Sequence, residues 1–431
     1  MADKNSTIPK GWRMTTLGEI PESWQITTAE KFCLKVADGT HATPKPVLNG
    51  KYLVTSKHIK SGKVDLTSAY LISQDDFNEV NKRSKVDQWD ILFSMIGTVG
   101  EIAIIDKNPD FAIKNVGLFK CGNEFKAKWL FYFLRGRIGQ GEIQQRMNGT
   151  TQSYVTLSDL KSFPIIVPSS SDELKAIAAV LSSLDDKIEL LREQNKTLEA
   201  TAQTIFKEWF VNFNFPGATG KMIDSELGEI PEGWRVGGLI EDSISEFVKT
   251  NIDKFDGTKD YVETANVNLS NFVGNFEKIT YEERASRANM QPVANSIWFA
   301  RMAESRKYLL FQERDWQNIE TKILSTGFAG IRCIKDYLYF YWCFILSNTF
   351  NNLKNQFAEG AVQVAISNEG IQRILLALPP KEIVQKFTET VSSCFEKISN
   401  NNSQIQTLSA LRDTLLPKLM KGEVRVKGFI E

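Results

Sequence analysis

The feature that most constrains the fold of this 431-residue chain is an internal repeat. The pattern Leu-Gly-Glu-Ile-Pro-Glu-x-Trp occupies residues 17–24 and returns at residues 227–234, a displacement of 210 residues. A glycine and a glutamine three positions apart occupy residues 149–152 and return at residues 360–363, a displacement of 211 residues. Solenoid repeats are roughly 20–50 residues long. Landmarks that return in the same order after so many residues therefore indicate a duplicated domain with its attached elements.

Each copy of the repeat ends in a heptad pattern of apolar residues. The pattern runs through residues 172–210 in the first copy and through residues 384–419 in the second. Apolar residues that alternate in steps of three and four predict a long amphipathic helix with a coiled-coil seam. The second seam is interrupted by Asn401 and Arg412, and it meets Pro417, where we expect the helix to kink or stop.

Two such helices in one chain most simply pack against each other in antiparallel orientation. A homomeric coiled coil, or two helices that lie on separate globular cores, is the alternative that the sequence leaves open. The seam residues expected at the helix-pair interface are Leu184, Leu191, Leu198, Leu408 and Leu415. Because the seam is only two residues per heptad wide, the flanks of the pair stay available to helices of another protein.

The part of each copy before its helix has the pattern of an α+β globule. Short β-branched runs separated by glycine-containing turns indicate strands. The strand-like runs are residues 52–55, 90–94, 102–105, 261–267 and 295–301, and the helical segments are residues 128–137 and 337–346. We therefore predict an α+β fold with two tandem α+β globules, two long antiparallel coiled-coil helices and a pseudo-twofold internal repeat. The predicted boundaries are 1–168, 169–212, 213–379 and 380–431.

Charge and cysteine content argue against several classes of protein. The 52 Lys and Arg residues balance 52 Asp and Glu residues, so the chain lacks the cation excess of a nucleic-acid coat protein. The balance is uneven locally. Residues 33–168 contain 18 basic and 13 acidic residues, whereas residues 241–379 contain 15 basic and 17 acidic residues. Five widely spaced cysteines without a C-x-x-C pair support neither a disulfide framework nor a zinc cluster.

The apolar runs of the sequence predict a cytoplasmic protein. The first ten residues are polar and contain no apolar signal core. The longest strongly apolar run, residues 337–347, is shorter than the ~20 residues that a membrane-spanning helix needs. A buried helix or strand explains this run better.

Sequence signatures of catalysis are missing from the chain. It contains no G-x-x-x-x-G-K-[ST] phosphate loop, no G-x-G-x-x-G dinucleotide-binding pattern after a strand and no G-x-S-x-G elbow. Asp110, Glu124 and Lys126 form a degenerate pattern that would allow a Mg²⁺-dependent nuclease. The second copy does not repeat this pattern, so a turn followed by a charged helix start is the simpler interpretation.

Several of these segments resemble one known family. Residues 90–94 (Asp-Ile-Leu-Phe-Ser) and 97–100 (Gly-Thr-Val-Gly) match its D-I-L-x-S…G-x-x-G strand-turn-strand pattern, and residues 415–424 are typical of its C-terminal end. With the repeated octapeptide and the heptad helices, essentially the whole chain resembles the specificity subunit of type I restriction-modification systems. The second copy departs from the pattern, because residues 296–301 and Ser305 replace this segment and no G-x-x-G occurs there.

The resemblance implies a function in DNA recognition. Each globule would be a target recognition domain that reads one half of a bipartite site in double-stranded DNA. The helix pair would fix the spacing of the half-sites and dock two methyltransferase (M) subunits, through which restriction (R) subunits join. The chain would be non-catalytic and bind no cofactor, since S-adenosylmethionine, ATP and Mg²⁺ would serve the partner subunits.

The placement of reading loops in the family, together with polar or basic character beside strand-turn segments, indicates which residues face DNA. In the first domain they are Lys57, Ser94, Thr98, Gln152 and Tyr154, and in the second they are Arg301, Ser305, Arg306, Lys307 and Gln363. The two glutamines have an alternative role, which is to brace the turn before the last strand. A protein-binding scaffold without DNA contact is the competing class of function.

Overall fold

The computed structural model describes residues 8–149, 151–360 and 364–426. The contacts between residues group the chain into two compact units. The first unit comprises Met1–Leu190 with Gln404–Glu431, and the second unit comprises Leu191–Ser403. Each unit therefore contains a globule with strands and helices together with a length of both long helices. Each long helix is shared between the two units, and the predicted domain boundaries stay a prediction.

The first unit is built around a four-stranded antiparallel sheet. In spatial order its strands are Ile102–Ile104, Asp90–Ser94, Val116–Lys120 and Lys35–Asp38. Every residue of Asp90–Ser94 is buried. An inner strand that is covered on both faces takes such a continuous apolar run. This explains why residues 90–94 gave the clearest strand signal in the sequence.

Shorter strands surround this sheet. Lys51–Val54 pairs in parallel with Phe111–Ile113 and antiparallel with Tyr70–Ile72. The remaining strands of the first unit are Trp12–Thr15, Gly18–Pro21, Trp24–Thr28, Ile59–Lys60, Lys63–Val64 and Pro164–Pro168. Its shorter helical segments are Ala29–Phe32, Ser56–His58, Gln74–Ser84 and Leu157–Lys161.

Two consecutive helices of the first unit, Glu124–Arg135 and Arg137–Arg146, occupy the place of the predicted helix 128–137. The Asn123 side chain accepts a hydrogen bond from the Lys126 amide (3.0 Å), which fixes the start of the first helix. Gly136, between the two helices, is extended and begins the second one. The predicted helix therefore starts four residues earlier and ends before Gly136.

The tryptophan of the repeated octapeptide anchors the core of each unit. In the first unit Trp24 is 1% exposed, its ring lies 5.8 Å from that of Trp129 in an edge-to-face arrangement, and its indole N–H donates to Glu173 (3.3 Å). In the second unit Trp234 packs against Phe210 and neighbouring rings. Aromatic side chains of this size contribute a large share of core energy, which accounts for the recurrence of the motif.

The second unit contains two four-stranded sheets. One has the order Ser245–Phe247, Phe328–Cys333, Ser296–Ala300 and Tyr308–Phe311, all antiparallel. The other has the order Glu277–Ile279, Lys259–Val262, Lys322–Ser325 and Ala288–Met290. The predicted strand 261–267 is interrupted, because a turn of 3₁₀ helix at Thr264–Asn266 separates Lys259–Val262 from Val267–Asn268.

Helices and short strands complete the second unit. The apolar run at residues 337–347 is the buried helix Leu338–Leu346, and a second helix, Asn348–Gln356, follows it. The other helical segments are Glu313–Asp315, Trp316–Thr321, Lys335–Tyr337 and Asn368–Gln372. The other strands are Met222–Ile223, Ile230–Pro231, Arg235–Gly238, Asn271–Phe272, Ala358–Glu359, Ala365–Ile366 and Leu375–Leu378.

Two long helices follow the two globules in the sequence. The central helix is Ser171–Phe210 and the C-terminal helix is Lys381–Lys421, each about 60 Å long at 1.5 Å per residue. Pro417 does not end the C-terminal helix, contrary to one of the two sequence expectations. Only four helical residues follow it, and two of these, Leu419 and Met420, are buried in the core of the first unit. Their burial offsets the hydrogen bond that the proline cannot donate.

The two long helices contact each other within each unit. In the first unit Arg412 donates to Asp185 (2.7 Å). In the second unit Asn195 donates to Asn402 and Asn401 donates to Asn195, each at 2.8 Å. Of the predicted seam residues, Leu191 is 1% exposed, and the half-buried ones are Leu184, Leu198, Leu408 and Leu415. No helix in the described part of the chain has the length and apolar character needed to cross a membrane.

Candidate nucleic-acid interface

The strands Asp90–Ser94 and Ile102–Ile104 of the first unit are joined by residues 95–101, which we call the first-unit turn. Gly97 and Gly100 have φ angles of +79° and +93°. Glycine enters this region without the steric cost that a Cβ atom imposes. The G-x-x-G pattern found in the sequence is therefore the backbone requirement of this turn.

Two of the predicted DNA-facing residues hold the first-unit turn together. Ser94 is fully buried, and its hydroxyl lies 3.2 Å from that of Thr98 and 3.5 Å from the Ile96 carbonyl oxygen. Thr98 itself is exposed. Ser94 thus shapes the turn from inside, and Thr98 is the member of the pair that a ligand can reach.

The Gly-x-x-Gln motif of the first copy lies in a tight hairpin, whose described residues are 148–149 and 151–154. Asn148 and Tyr154 exchange two backbone hydrogen bonds of 2.9 Å. Gly149 has a φ angle of +89°, and a Cβ atom built on it would lie 2.4 Å from the Gln152 carbonyl oxygen. Glycine is thus required at the tip, where Gln152 is exposed.

This hairpin lies directly beside the first-unit turn. The Gly97 amide donates to the Ser153 carbonyl (3.1 Å), and Ile96 forms an antiparallel bridge with Tyr154. Tyr154 is 43% exposed, a large value for an aromatic side chain. The structure therefore brings Thr98, Gln152 and Tyr154 together on one exposed surface, although 54 residues separate the first from the second in sequence.

Lys57 is exposed on the short 3₁₀ segment Ser56–His58. The ring nitrogen Nδ1 of His58 accepts a hydrogen bond from the Thr55 amide (2.8 Å), and the Ser56 hydroxyl donates to the Asn115 carbonyl (3.2 Å). Burial lowers the pKa of His58, which favours the neutral ring that this acceptor role requires. The first bond closes the segment around Lys57 and the second fixes it to the globule, while the Lys57 side chain is exposed to solvent.

Residues 301–307, the second-unit turn, join Ser296–Ala300 to Tyr308–Phe311. The Ala300 amide donates to the Lys307 carbonyl (3.0 Å) at the base of the turn. Glu304 has a φ angle of +57°, which is uncommon for a residue other than glycine. The turn therefore reaches a left-handed conformation without the glycines that make it possible in the first unit.

The second-unit turn also pairs with the segment that follows the repeated Gly-x-x-Gln motif. The Ala303 amide donates to the Val364 carbonyl, and the Ile366 amide donates to the Arg301 carbonyl, each at 2.9 Å. The pairing parallels that of residues 96–97 with residues 153–154 in the first unit. Gln363 lies outside the described residues, so its place beside this turn stays a prediction.

The side chain of Arg301 points into the globule and not away from it. Its guanidinium group donates to the Phe328 carbonyl (3.3 Å), the Ile366 carbonyl (3.1 Å) and the Asn368 side chain (2.7 Å). Burial lowers the pKa of Arg301, and the nearby Glu369 carboxylate acts in the opposite direction. Three hydrogen bonds from one planar group brace the base of the turn.

The other predicted residues of this turn differ in accessibility. The Lys307 ammonium donates to the Thr264 carbonyl (2.5 Å), so it too braces the turn. Ser305 is half-buried, whereas Arg306 is exposed. Arg306 is thus the cation that the second-unit turn presents to solvent. The structure brings Arg301, Ser305, Arg306 and Lys307 into one turn, as their proximity in sequence requires.

Sequence reasoning missed the residues that brace the second-unit turn from the helix Asn348–Gln356. The Asn355 side chain contacts Glu304 twice, and the buried Lys354 donates to turn carbonyls. No local pattern marks these two residues, because the helix lies about 50 positions away from the turn in sequence.

The residues considered for a nuclease do not form a common site. Asp110 pairs with Lys51 (2.7 Å), Glu124 pairs with Lys128 (2.7 Å), and Lys126 donates to the Phe32 carbonyl (3.1 Å). The Asp90 carboxylate of the D-I-L-x-S pattern accepts from the Asp87 amide and Lys120, and burial raises its pKa. Across residues 8–149, 151–360 and 364–426, no three His, Cys, Asp or Glu side chains are grouped to hold a metal ion.

Comparison with known proteins gives concordant results. Residues 45–200 match the family described as Type I restriction modification DNA specificity domain, and this range contains the first-unit turn and its hairpin. The type I restriction enzyme MjaIX specificity subunit of Methanocaldococcus jannaschii is 26% identical, with 96% of this chain and 97% of the relative covered. The type I restriction enzyme HindI specificity subunit of Haemophilus influenzae is 21% identical over 64% of this chain and 72% of the relative.

One solved structure shows a similar fold. The crystal structure of the S subunit of a type I restriction-modification system from M. genitalium superposes with a TM-score of 0.53 at 16% identity. The superposition covers 92% of this chain and 96% of the other. Residues 45–200 thus match the type I restriction modification DNA specificity domain, and the chain as a whole is similar in length, sequence and fold to type I specificity subunits.

Proposed function

We propose that this chain is the DNA-recognition subunit of a type I restriction-modification complex. One observation carries the proposal: the first-unit turn and the Gly-x-x-Gln hairpin lie together inside the matched specificity domain and expose Thr98, Gln152 and Tyr154. Hydroxyl and amide side chains are the groups that hydrogen-bond to base edges and phosphates. Lys57, exposed in the same unit, adds a cation suited to a phosphate contact.

Each unit reads one half of a bipartite site in double-stranded DNA. Support comes from the same local arrangement in both units, a strand-turn-strand paired with the segment after the Gly-x-x-Gln motif. The exposed side chains differ, since the second-unit turn presents Arg306 in place of Thr98. Two tandem target recognition domains with different reading groups fit a site whose two halves have different sequences.

The two long helices form an antiparallel coiled coil that sets the distance between the half-sites. Support comes from the order of their contacts: the central helix uses Asp185 and Asn195, and the C-terminal helix uses Arg412 and Asn402 in the reverse order. A step of ten residues along one helix matches a step of ten along the other, in the opposite direction. Two helices of about 60 Å exceed one DNA turn of ~34–36 Å.

The chain itself is a non-catalytic specificity subunit. The relatives that it matches are named specificity subunits, and the methylation and cleavage activities reside in partner subunits. In this proposal two M subunits dock on the helix pair and bring S-adenosylmethionine, and R subunits that use ATP and Mg²⁺ join through them. The complex acts on DNA in the cytoplasm, and the chain carries no bound cofactor.

The zero net charge of the chain fits a reader that works inside a larger complex. Counterion release from phosphate contacts provides most non-specific affinity for DNA. A protein with zero net charge gains little affinity from this release. We therefore expect the isolated chain to bind DNA weakly in gel-shift titrations, and we expect strong binding once the M subunits are present.

Methylome sequencing tests the proposed function directly. A host that carries this chain with its partner subunits should methylate one split motif, and deletion of the chain should abolish methylation of that motif alone. Retention of every methylated motif after the deletion would contradict the proposal.

The competing class is a protein-binding scaffold without DNA contact. A gel shift that remains absent even with the M subunits present would favour the scaffold. The nuclease alternative predicts that the purified chain alone cuts plasmid DNA in the presence of Mg²⁺. The separate partners of Asp110, Glu124 and Lys126 argue against that outcome.

A further inference from the structure

A fully buried lysine lies beneath the second-unit turn. Lys354, on the helix Asn348–Gln356, is 0% exposed. Its ammonium group donates to the Ser305 carbonyl and lies 3.5 Å from the Ala300 carbonyl oxygen. Both acceptors are backbone groups, one at the last residue of the strand and the other near the tip of the turn. One side chain therefore connects both the end of the strand and the turn to the helix behind them.

The next residue of the helix holds the other side of the same turn. The Asn355 side chain donates to the Glu304 carboxylate (2.7 Å) and accepts from the Glu304 amide (3.0 Å). Glu304 is the residue with the φ angle of +57°. A non-glycine residue in this region costs free energy and persists where surrounding contacts determine it. The two hydrogen bonds from Asn355 are contacts of that kind.

The chemistry of lysine explains why the position is not simply apolar. Burial of an ammonium group is costly unless hydrogen bonds replace its hydration, and an apolar side chain of similar volume would avoid that cost. Burial lowers the pKa of Lys354 to about 8, with Glu304 acting to raise it and Arg306 acting to lower it. What lysine adds is a set of donors for the backbone carbonyls of Ala300 and Ser305.

The first-unit turn is supported in a different way. There the helix Arg137–Arg146 packs Ile143 against the turn, and a Cβ atom on Gly100 would lie 3.1 Å from the Ile143 side chain. Glycine supplies the positive φ angles of that turn, and the contact from the supporting helix is apolar. The second copy has no G-x-x-G pattern, and Lys354 and Asn355 contact its turn from the adjacent helix.

We propose that Lys354, supported by Asn355, is a positioning residue for recognition of the second half-site: it fixes the second-unit turn from inside so that Arg306 is presented to DNA. This inference rests on the proposed function of the chain as a DNA reader. Neither Lys354 nor Asn355 needs to touch DNA in this arrangement, and the buried ammonium group of Lys354 has no path to it.

The test uses the complex assembled with M subunits and duplexes in which either half of the site, as defined by methylome sequencing, is scrambled. With Lys354→Met, which keeps the stem and removes the ammonium group, affinity for the duplex that retains the second half should fall about tenfold, a typical cost of a lost specific contact. Affinity for the duplex that retains the first half should stay unchanged. Lys335→Met is the matched control, because Lys335 is an exposed lysine of the same unit that pairs with Glu313 (3.1 Å).

A double-mutant cycle separates positioning from a general structural role. Arg306→Ala should weaken second-half binding in the wild-type background and add little in the Lys354→Met background, since the turn no longer presents Arg306. Hydrogen exchange on the full chain without DNA should show faster exchange of the amides of residues 303–307 in Lys354→Met. Full additivity, or second-half affinity equal to that of the wild type in a folded variant, overturns the proposal.

Two further outcomes are also decisive. If Lys354→Met does not fold, the half-buried Asn355→Ala takes its place, and wild-type second-half affinity in that variant overturns the proposal. If the wild-type complex binds neither half of any site, the proposed function fails and the recognition role fails with it. The exchange measurement still distinguishes that case, because it reports whether Lys354 holds the turn without any DNA present.

Discussion

The first-unit turn and the second-unit turn occupy equivalent places in the repeat but are stabilised by different parts of the chain. Gly97 and Gly100 supply positive φ angles within the first-unit turn. The second-unit turn obtains its shape from Arg301 at its base and from Lys354 and Asn355 on a distant helix. Local glycines in one unit and distant side chains in the other can therefore meet the backbone requirement of the same strand-turn-strand arrangement.

The difference has a consequence for how each turn can change. A turn built by local glycines depends on a few adjacent positions, so its exposed residues can vary with little effect on its shape. A turn clamped by remote side chains is coupled to the packing of the globule. We therefore expect substitutions in the supporting helix to alter recognition in the second unit more than in the first.

The largest expected effect is a loss of binding to both half-sites at once. Leu191→Glu introduces a carboxylate at a position that is 1% exposed, which should cost roughly 3–5 kcal/mol of unfolding free energy. Binding of both half-sites and copurification with M subunits should fail. The control is Leu190→Glu at the adjacent position, which is 51% exposed and should unfold like the wild type in urea. A stable, fully assembled Leu191→Glu complex would show that the helix-pair interpretation is wrong.

The next effect should be confined to the first unit. Gly149→Ala places a Cβ atom 2.4 Å from the Gln152 carbonyl oxygen at a φ angle of +89°, a strain of about 1–3 kcal/mol. Methylation that requires recognition of the first half-site should fall at least tenfold. Recognition of the second half-site should be retained. Gly141→Ala, at a helical position with open space around it, is the control. If recognition of both half-sites fell equally, the effect of Gly149→Ala would not be confined to the first unit, and this prediction would be wrong.

Two arginines of the second-unit turn should respond differently to a conservative change. Arg301→Lys cannot reproduce three hydrogen bonds from one planar group, so second-half affinity should fall about tenfold. Arg306→Lys keeps the exposed charge and should change second-half affinity by no more than about threefold if the contact is to phosphate. The reverse order in filter-binding titrations would mean that Arg301 reads DNA and Arg306 does not.

The smallest expected effect is a pH dependence of second-half recognition. The pKa of Lys354 is lowered to about 8 by burial, while Glu304 and Arg306 face it with opposite effects. A lysine with a lowered folded-state pKa loses its proton first in the folded state, so its contribution to stability increases from about pH 8 up to the ordinary lysine pKa. The neutral amine donates weaker hydrogen bonds to the turn than the ammonium group does. The ratio of second-half to first-half affinity should therefore fall several-fold between pH 7 and pH 9. A constant ratio, or the same fall in Lys354→Met, would exclude Lys354 as its source.

Much of the fold was accessible from the sequence because its signals are periodic or locally constrained. The heptad pattern predicted a helix over residues 172–210, and the structure has Ser171–Phe210. The strand at residues 90–94 matches in full. Of the kink or stop expected at Pro417, the stop does not occur at the proline itself, because the helix continues for four more residues, two of which are buried.

The candidate site was harder to predict from the sequence, because it does not depend on periodic or local signals. Thr98, Gln152 and Tyr154 were selected by residue type and by resemblance, and their common surface depends on backbone pairing between segments that are far apart in sequence. Ser94 and Arg301 were selected on the same grounds, yet one is buried and the other is turned inward. Residue type indicates what a side chain can bind, whereas its direction depends on the packing around it.

The sequence by itself determined the duplication, the long amphipathic helices, the buried central strands and the glycine-built turn of the first copy. Each of these depends on periodicity or on a local backbone requirement that neighbouring residues express directly. Only the tertiary structure decided which cations reach solvent and what holds the second-unit turn. Lys354 and Asn355 act on residues about 50 positions away, and hydrogen bonds between distant segments leave no pattern in the sequence because they exist only after the chain has folded.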